Sequence, residues 1–272
     1  EVLDSGKPDY PFALAWANHS WYKKTWSDDD QYHDECLIEQ TYPGIEDARQ
    51  HFDLLLKAFK DERYIKIDGR PILYVFKSEA LPIEYINWFH LWAKESGFKG
   101  LYLIGNTWGD KAFTFYKALG FQAIVRNNVL DLLQTHYSRM PKYKMVVLRI
   151  YRRSLEYIKK IPHGIADYSA LVHNAVTQEC KSEGVIPQIF PNWDHSPRSG
   201  RNASYIYYNA EPNAFYEMAC DALEAIKDKP SEEQIIIIKS WNEWGEGNYM
   251  EPDLKYGHGY IKALRRAVDK YK

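Results

Sequence analysis

Six short apolar runs alternate along the chain with longer segments that carry the apolar periodicity of helices, and this alternation restricts the fold to the α/β class. The predicted strands occupy residues 12–17, 72–76, 101–105, 121–125, 185–190 and 235–240. The predicted helices occupy residues 45–59, 83–96, 111–119, 168–183, 214–226 and 260–271. Strands separated by helices usually pair in parallel, so we expect a parallel sheet covered by helices.

The segment over residues 127–163 is the part of the chain whose structure the pattern leaves open. Residues 143–151 suit a strand or a helix, and a basic run covers residues 149–160. We interpret the segment as an insertion or as a long connection between a strand and a helix. Because no repeat, low-complexity tract or linker divides the chain, we predict one domain over residues 1–272.

Polar and aromatic residues follow one predicted strand after another, and they favour one of two architectures. Strand–helix units in this number fit a doubly wound sheet or a (β/α)8 barrel with two units absent. A doubly wound nucleotide-binding protein carries a glycine-rich turn after an early strand, and the sequence has no such turn. Ligand groups at the carboxyl ends of many strands are typical of a barrel. We therefore predict an α/β fold of the (β/α)8, or TIM-barrel, type.

The charge and the composition exclude several classes of partner. Lys and Arg number 35 and Asp and Glu number 37, for a formal net charge of −2, so no basic excess is available for a nucleic acid. No apolar run reaches the roughly 20 residues of a transmembrane helix. Cys36, Cys180 and Cys220 are too widely spaced for a disulfide framework or a C-x-x-C metal site. These cysteines indicate a reducing compartment, and we expect a cytoplasmic protein.

Aromatic residues are more numerous than a core of this size requires. The chain has 9 Trp, 22 Tyr and 11 Phe. Some of these rings must lie at the surface, where flat amphipathic rings suit ligands with apolar faces and hydroxylated edges. The composition therefore indicates a sugar ligand.

Two carboxylates follow the last predicted strand, in the segment I-I-I-I-K-S-W-N-E-W-G-E-G over residues 235–247. Glu243 and Glu246, called the acid pair below, are three positions apart, so we expect both to line one pocket. Apolar walls favour the neutral form of one carboxyl group, and hydrogen bonds favour the ionised form of its neighbour. The pair can then supply both an acid and a base. In the alternative interpretation these residues cap a helix or bind a nearby arginine. The density of Trp, Asn, Gly and Glu here favours catalysis.

Three segments together resemble the family of WbsX-like proteins, which are described as glycosyltransferases or lipopolysaccharide biosynthesis proteins and carry a glycoside hydrolase family 99-like domain. W-N-E-W-G-E-G-N-Y-M-E-P over residues 241–252 resembles the family's W-N-E-W-x-E-G-x-x-x-E-P. F-K-D-E-R-Y-I-K-I-D-G-R-P over residues 59–71 resembles F-K-D-x-R-Y-I-x-I-D-G-K/R-P, and W-D-H-S-P-R over residues 193–198 resembles W-D-N-T-P-R. The similarity runs from residue 11 to about residue 260, with the segments in the expected order.

The resemblance implies a fold and a reaction. The family's domain is a (β/α)8 barrel whose first two strands would precede Glu1, so we expect this chain to be a fragment that lacks the first two βα units. In glycoside hydrolase family 99 the matching acids act on α-mannosides. Glu243 is then the base toward the sugar's own 2-hydroxyl, which attacks C1 and gives a 1,2-anhydro sugar. Glu246 protonates the departing oxygen and afterwards activates water, so the configuration is retained.

Residues around the acid pair are expected to stack on sugar rings and to bind hydroxyl groups. The substrate-binding candidates are Trp16, Asn18, Trp21, Asn106, Trp108, Asn192, Trp193, Asp194, Trp244, Tyr249 and Glu251. The N-H-S-W segment over residues 18–21 departs from the W-A-N-E-N-W form of many family members, because His19 replaces an acid. This difference bears on the substrate rather than on the fold.

Within the resemblance we expect an enzyme that cleaves or transfers glycosidic bonds of a bacterial surface polysaccharide, without a metal or an organic cofactor. One alternative is a glycosyltransferase of O-antigen or capsule biosynthesis, although no element here suits a nucleotide diphosphate. Another is a barrel that binds a glycan without catalysis. The D-D-D run at residues 28–30 contains the D-x-D pattern of metal-dependent transferases, but such a run in a loop is more typical of a solvated surface.

Overall fold

The structure is a computed structural model that describes residues 2–23, 35–107, 111–126, 132, 141–159, 165–200, 203 and 206–272. The strands in the first half of the chain are β1 (Leu14–Trp16), β2 (Trp21–Tyr22), β3 (Cys36–Ile38), β4 (Lys66–Ile67), β5 (Arg70–Val75), β6 (Tyr102–Thr107) and β7 (Ala123–Arg126). The later strands are β8 (Ile165–Asp167), β9 (Val185–Ile186), β10 (Gln188–Ile189), β11 (Ile206–Tyr208), β12 (Ile237–Ile238), β13 (Asn242–Glu243) and β14 (Asn248–Tyr249).

The helices lie mainly between the parallel strands. They are α1 (Val2–Ser5), α2 (Ile45–Phe59), α3 (Ile83–Glu95), α4 (Phe113–Leu119), α5 (Lys142–Lys159), α6 (Val172–Ala175), α7 (Ser196–Ser199), α8 (Pro212–Ile226) and α9 (Gly259–Tyr271). Short 3-10 turns cover Ser78–Ala80, Gln178–Lys181, Ser231–Glu233 and Trp244–Glu246. None of the helices in the described residues is long and apolar enough to cross a membrane.

The central sheet is parallel. Its strands follow the order β1, β5, β6, β7 and β9, and β4 is added to β5 in antiparallel orientation. β10 pairs in parallel with β12, and β8 with β11. The prediction of an α/β fold with a parallel sheet is confirmed. The described strands do not close a barrel, because β1 and β12 each have one strand partner and do not pair with each other.

Alternate residues of the sheet enter two different apolar clusters, so both of its faces are covered. On β5, Leu73 belongs to the cluster that contains the buried residues of α2 and α3. Its neighbour Ile72 belongs to a second cluster with Ile104 of β6, and Ile237 of β12 packs against that cluster. Ile186 of β9 belongs to this second cluster too, so one apolar cluster extends from β5 and β6 to β9 and is contacted by β12. Burial on both faces explains why these strands form continuous apolar runs in the sequence.

A third apolar cluster forms where α8 and α9 pack against β10 and α6. It contains the fully buried aromatic residues Tyr168, Phe190, Phe215 and Tyr260. The hydroxyl of Tyr168 donates to the carbonyl of Phe190 at 2.5 Å, so this buried phenol has a hydrogen-bond partner. The cluster supports the chain segments that follow β10 and β12, which carry the acid pair and its neighbours.

Most predicted elements are confirmed, and the helix predicted over residues 45–59 has those bounds in the structure. Residues 143–151, whose sequence suits a strand or a helix, lie in helix α5. The helix predicted over residues 168–183 is wrong. Only α6 and a 3-10 turn form there, because the β-branched residues Val176 and Thr177 between them are extended.

The strand predicted over residues 235–240 is shorter and less buried than expected. Only Ile237 and Ile238 form β12, and both are half-buried rather than buried. The physical reason is position, because β12 pairs with β10 alone and its other edge has no strand partner in the described residues.

We predict that Phe89→Ala destabilises the protein by about 3–5 kcal/mol, because the ring of Phe89 is buried against Phe52 and Trp92 and its removal leaves a cavity. Leu91→Ala, on the exposed face of the same helix, should cost less than about 0.5 kcal/mol. Urea unfolding of both variants measures the difference. Equal costs would show that α3 does not pack on the sheet through this face.

Candidate active site

The acid pair lies on a short hairpin that follows β12. β13 and β14 pair in antiparallel orientation, and the 3-10 turn Trp244–Glu246 joins them. The hydroxyl of Ser240 accepts the backbone N–H of Glu243 at 3.1 Å and donates to the backbone carbonyl of Asn248 at 2.8 Å. Both acids therefore belong to one hydrogen-bonded turn.

Gly247 holds this hairpin against the segment that follows β10. Its backbone is left-handed, with φ +53°, and a Cβ at this position would lie 2.9 Å from the backbone oxygen of Asp194. The N–H of Asp194 donates to the carbonyl of Glu246 at 3.0 Å. Glycine alone combines this conformation with so close an approach, so Glu246 is held beside Asp194.

One guanidinium binds both members of the acid pair. Arg198, in α7, donates from Nη2 to Oε1 of Glu243 at 2.7 Å and from Nη1 to Oε1 of Glu246 at 2.6 Å. The terminal nitrogens of a guanidinium lie in one plane, so the two carboxylates approach the same cation from neighbouring directions. Hydrogen bonds of this length between charged groups are strong. The two acids therefore share one site, and the arginine partner of the alternative interpretation is present as well.

The surroundings of the two carboxylates differ. The side chain of Glu246 is 15% exposed, whereas that of Glu243 is 40% exposed. Glu246 also has two further neighbours that can carry a positive charge. Nζ of Lys239 lies 3.4 Å from its Oε2, and Nε2 of His195 lies 3.7 Å from its Oε1. Glu243 therefore has the greater access to solvent or a ligand, and Glu246 is the more enclosed acid.

Lys239 links the acid pair to a buried aromatic ring. Its ammonium lies 3.9 Å from the centroid of the Trp193 ring, within the range of a cation–π interaction. Burial lowers the pKa of Lys239, and the nearby carboxylate of Glu246 opposes this shift. Lys239 is therefore a partly buried cation, and the carboxylate of Glu246 helps to keep it charged.

Trp244 and Tyr249 form an aromatic platform beside the acid pair. Their rings are stacked, with centroids 3.8 Å apart and an interplanar angle of 17°. The indole N–H of Trp244 donates to Oε2 of Glu251 at 2.7 Å, which orients the ring. Trp244 is exposed. An exposed flat ring next to two carboxylates suits the apolar face of a sugar.

The polar residues of the segment after β10 hold the loops together. The side-chain carbonyl of Asn192 accepts the N–H of Tyr249 at 2.9 Å, and the carboxylate of Asp194 accepts the N–H of Ser196 at 2.9 Å. Trp193 is buried, next to Lys239. The residues that the structure brings together around this hairpin are Asn192, Trp193, Asp194, Glu243, Trp244, Glu246, Tyr249 and Glu251.

Trp16 and Asn18, predicted to bind substrate, have structural contacts. The ring of Trp16 packs against Tyr42 and Phe89 at the edge of the first apolar cluster. Asn18 is buried, and its amide accepts the N–H of Lys77 at 2.7 Å and donates to the carbonyl of the same residue at 2.9 Å. None of the contacts described for these two residues reaches the acid pair, so their part in binding stays a prediction.

The other predicted residues lie at different strand ends. Trp21 is exposed on the hairpin of β2 and β3. Asn106, at the end of β6, donates to the carbonyl of Phe76 at 3.2 Å, and its buried Oδ1 has no hydrogen-bond partner among the described residues. Trp108 lies outside the described residues, as does the D-D-D run.

Three residues of the site were missed by sequence reasoning. Arg198 is not among the predicted site residues, yet its guanidinium is shared by the two carboxylates. The signal that could have found it is its place in the W-D-H-S-P-R segment, which also contains His195. Lys239 directly precedes the hairpin, and the run of isoleucines before it drew attention to the strand instead.

Two cavities, of about 500 and about 520 Å³, open elsewhere on the described surface. Tyr10 and Leu54 are among the residues of the first, and His173 and Glu211 are among those of the second. The acid pair lines neither of them. A sugar that binds at the acid pair would therefore use a site separate from both cavities.

The sequence model of the family described as "Glycosyltransferase WbsX" matches residues 1–264. The chain belongs to this family. It is also similar to the protein WxcX of Xanthomonas campestris pv. campestris, with 24% identity over 262 residues, which cover 95% of this chain and 34% of that protein. The chain thus spans about a third of the length of the curated relatives that it matches. The WbsX resemblance expected from the three segments is confirmed.

Solved structures provide a likeness of fold. A glycoside hydrolase-like protein matches with a TM-score of 0.54 and 16% identity, over 81% of this chain and 60% of that one. At this identity the likeness shows a common fold and nothing about activity. An endo-alpha-mannosidase of glycoside hydrolase family 99 from Bacteroides thetaiotaomicron matches with a TM-score of 0.49 and 14% identity, over 85% of this chain and 63% of that one. A score of that size is too low to establish a shared fold.

We predict that Gly247→Ala destabilises this WbsX-family protein by about 1–3 kcal/mol more than Gly257→Ala. Both glycines are left-handed, with φ +53° and +54°, so both variants incur the conformational cost of about 1–2 kcal/mol. Only Gly247 faces a backbone, that of Asp194, whereas a Cβ at Gly257 meets no atom within 4 Å. Thermal unfolding compares the two. Equal losses would mean that the hairpin is not held against Asp194.

Proposed function

We propose that the protein is a carbohydrate-active enzyme in which Glu243 and Glu246 divide the work of proton transfer at a glycosidic bond. The observation that carries the proposal is the shared Arg198, which joins two carboxylates of unequal exposure in one site. Membership of the WbsX family, which is described as a glycosyltransferase family, supports the same class of activity. We propose a bacterial surface polysaccharide as the substrate and one barrel-type domain as the catalytic unit.

The assignment of roles follows exposure and the resemblance to family 99. Glu243, the more exposed acid, takes the proton of the sugar's 2-hydroxyl, and the resulting oxygen attacks C1. Glu246 gives a proton to the departing oxygen as the bond from C1 to that oxygen breaks. Water then opens the 1,2-anhydro sugar, with Glu246 as base and Glu243 as acid, and both carboxyl groups return to their first state. The anomeric configuration is retained, unlike the outcome of inverting hydrolysis.

Arg198 adds a condition to this reaction. A general acid must offer its proton to the departing oxygen, whereas the guanidinium of Arg198 lies 2.6 Å from Oε1 of Glu246. We infer that a bound sugar displaces Arg198 from Glu246, whereas the bond from Arg198 to Glu243 persists. His195, whose Nε2 lies 3.7 Å from Glu246, can deliver the proton, and the ammonium of Lys239 lies closer, at 3.4 Å. Arg198 and His195 are positioning and relay groups in this scheme, and the two acids are the catalytic residues.

The aromatic platform supplies the binding surface. Trp244 and Tyr249 offer a stacked, partly exposed ring pair, and Glu251 already orients the indole. Sugar rings carry C–H groups on one face, which pack on such rings while their hydroxyls face carboxylates and amides. Trp241, exposed on the same hairpin, can extend this surface to a second sugar. The proposed ligand is accordingly an oligosaccharide rather than a monosaccharide.

Transfer from a nucleotide-sugar is the second candidate, and one observation besides the family's description favours it. Arg198 and Lys239 place two cations against the carboxylate of Glu246, and a diphosphate could take the place of that carboxylate as their partner. Titration calorimetry with GDP-mannose and UDP-glucose distinguishes the two activities. Saturable binding that Arg198→Met removes would favour transfer. The exposed free thiol of Cys36 suits a reducing compartment, and we propose the cytoplasm for either activity.

We predict that Glu246→Gln and Glu243→Gln each lower the kcat/KM for hydrolysis of an α-glycosyl oligosaccharide by about 10²–10⁴-fold, because each removes one proton transfer. The substrates to be assayed are the α-linked oligosaccharides of bacterial surface polysaccharides. Proton NMR of the first-formed product reports the anomeric configuration, which should be retained.

Glu217→Gln is the matched control, because Glu217 is an exposed glutamate on α8. It should keep full activity, and circular dichroism should show that all three variants are folded. Undiminished turnover by Glu246→Gln would refute the assignment of the acid. An inverted product would refute the participation of the 2-hydroxyl group while leaving the acid pair in place.

A further inference from the structure

Helix α5 presents an apolar stripe to solvent. The stripe consists of Tyr143, Val146, Val147, Ile150 and Tyr151, whose spacing of three and four residues places them on one face of a helix. Each of these side chains is between 56% and 67% exposed. The stripe of a surface helix normally faces the protein core. Here these five side chains are exposed, so the described residues do not cover them.

Cations border this stripe. At about 100° per residue, Lys144 falls on one side of it and Lys142 and Arg153 fall on the other, and all three side chains are exposed. The sequence of α5 contains six Lys or Arg residues and one acid, Glu156, although the chain as a whole has a net charge of −2. The basic charge is thus concentrated in this helix and lies next to its apolar face.

We propose that α5 is a membrane-surface helix that lies in the plane of an anionic phospholipid bilayer, with its apolar stripe inserted among the acyl chains and its lysines and arginines on the lipid phosphates. An apolar stripe between two basic borders is the pattern of interfacial helices. The stripe carries tyrosines at two of its positions, and these rings suit the boundary between headgroups and hydrocarbon. Aliphatic stems of Lys144 and Arg153 can lie along the stripe while their charges reach the headgroups.

Charge complementarity selects this occupant over others. A nucleic acid would use the cations but would leave five apolar side chains in water, because it binds mainly through its phosphates. A second copy of the chain would bury the stripe but would set the basic borders of two identical helices against each other. Only an anionic amphipathic surface satisfies the stripe and both borders. No residue of the acid pair or the aromatic platform belongs to α5, so this proposal is independent of the proposed function.

The test is sedimentation of the purified protein with vesicles of phosphatidylcholine alone or with 30% phosphatidylglycerol. We expect at least tenfold more protein on the anionic vesicles at 50 mM salt and a loss of most binding at 500 mM salt. Val147→Glu with Ile150→Glu should reduce binding at least tenfold. The matched control, Leu91→Glu, introduces an acid at an exposed leucine of α3 and should leave binding within twofold.

A second pair of variants separates charge from insertion. Lys142→Gln with Lys144→Gln retains the stripe and should weaken binding to anionic vesicles severalfold while reducing its salt dependence. Circular dichroism verifies that each variant is folded. Equal binding to both vesicle types, no binding to either, or binding that survives the change of Val147 and Ile150 would each overturn the proposal. So would a concentration-dependent dimer in light scattering that the Val147 and Ile150 variant abolishes, because the stripe would then be an interface between copies.

Discussion

A single guanidinium connects the two chain segments that form the candidate active site. Arg198 belongs to the segment after β10, and the acid pair belongs to the hairpin after β12, so the two hydrogen bonds of Arg198 span the gap between these strand ends. The hydrogen bond from Asp194 to Glu246 and the close approach at Gly247 act between the same two segments. Two carboxylates in one turn repel each other, and the guanidinium that both of them share offsets this repulsion.

The sheet explains why these segments meet. β10 and β12 are parallel neighbours, so the loops that leave their carboxyl ends emerge at the same edge. Two apolar clusters support this part of the chain. They are the second cluster, against which Ile237 packs, and the third cluster, which contains residues of α8 and α9. Polar residues at strand ends are therefore gathered by strand pairing, which is how parallel α/β folds collect functional groups from distant parts of a sequence.

Periodicity was sufficient to predict the elements that are long and amphipathic. Helix α2 is the clearest case, because Phe52 and Phe59 recur at helical spacing and both are fully buried. It failed at residues 168–183, where apolar residues recur at helical spacing but Val176 and Thr177 interrupt the helix. The three-residue strands β8 and β11 are too short to produce a pattern.

Part of the candidate active site could be predicted from the sequence, and part of it could not. The position of the acid pair at a strand end could be predicted, because the apolar run and the carboxylates are adjacent in sequence. The arginine partner of the acid pair could not be predicted, because Arg198 is 45 positions from Glu243 and 48 from Glu246 in the sequence. Strand pairing brings them together. Nothing in the sequence distinguishes Asn18, whose amide is hydrogen-bonded to Lys77, from Asn106, whose buried Oδ1 has no hydrogen-bond partner among the described residues.

Helix α5 shows what an exposed stripe implies for stability. Its stripe contains Val146, Val147 and Ile150, whose β-branched side chains disfavour helices, and this is why residues 143–151 suit a strand as well. An isolated helix of 18 residues is marginal in water, and most helices in proteins are stabilised by burial of their apolar face. Because the five side chains of the stripe are exposed, they do not make that contribution. A surface that covers the stripe would supply it, so binding and helix stability are coupled.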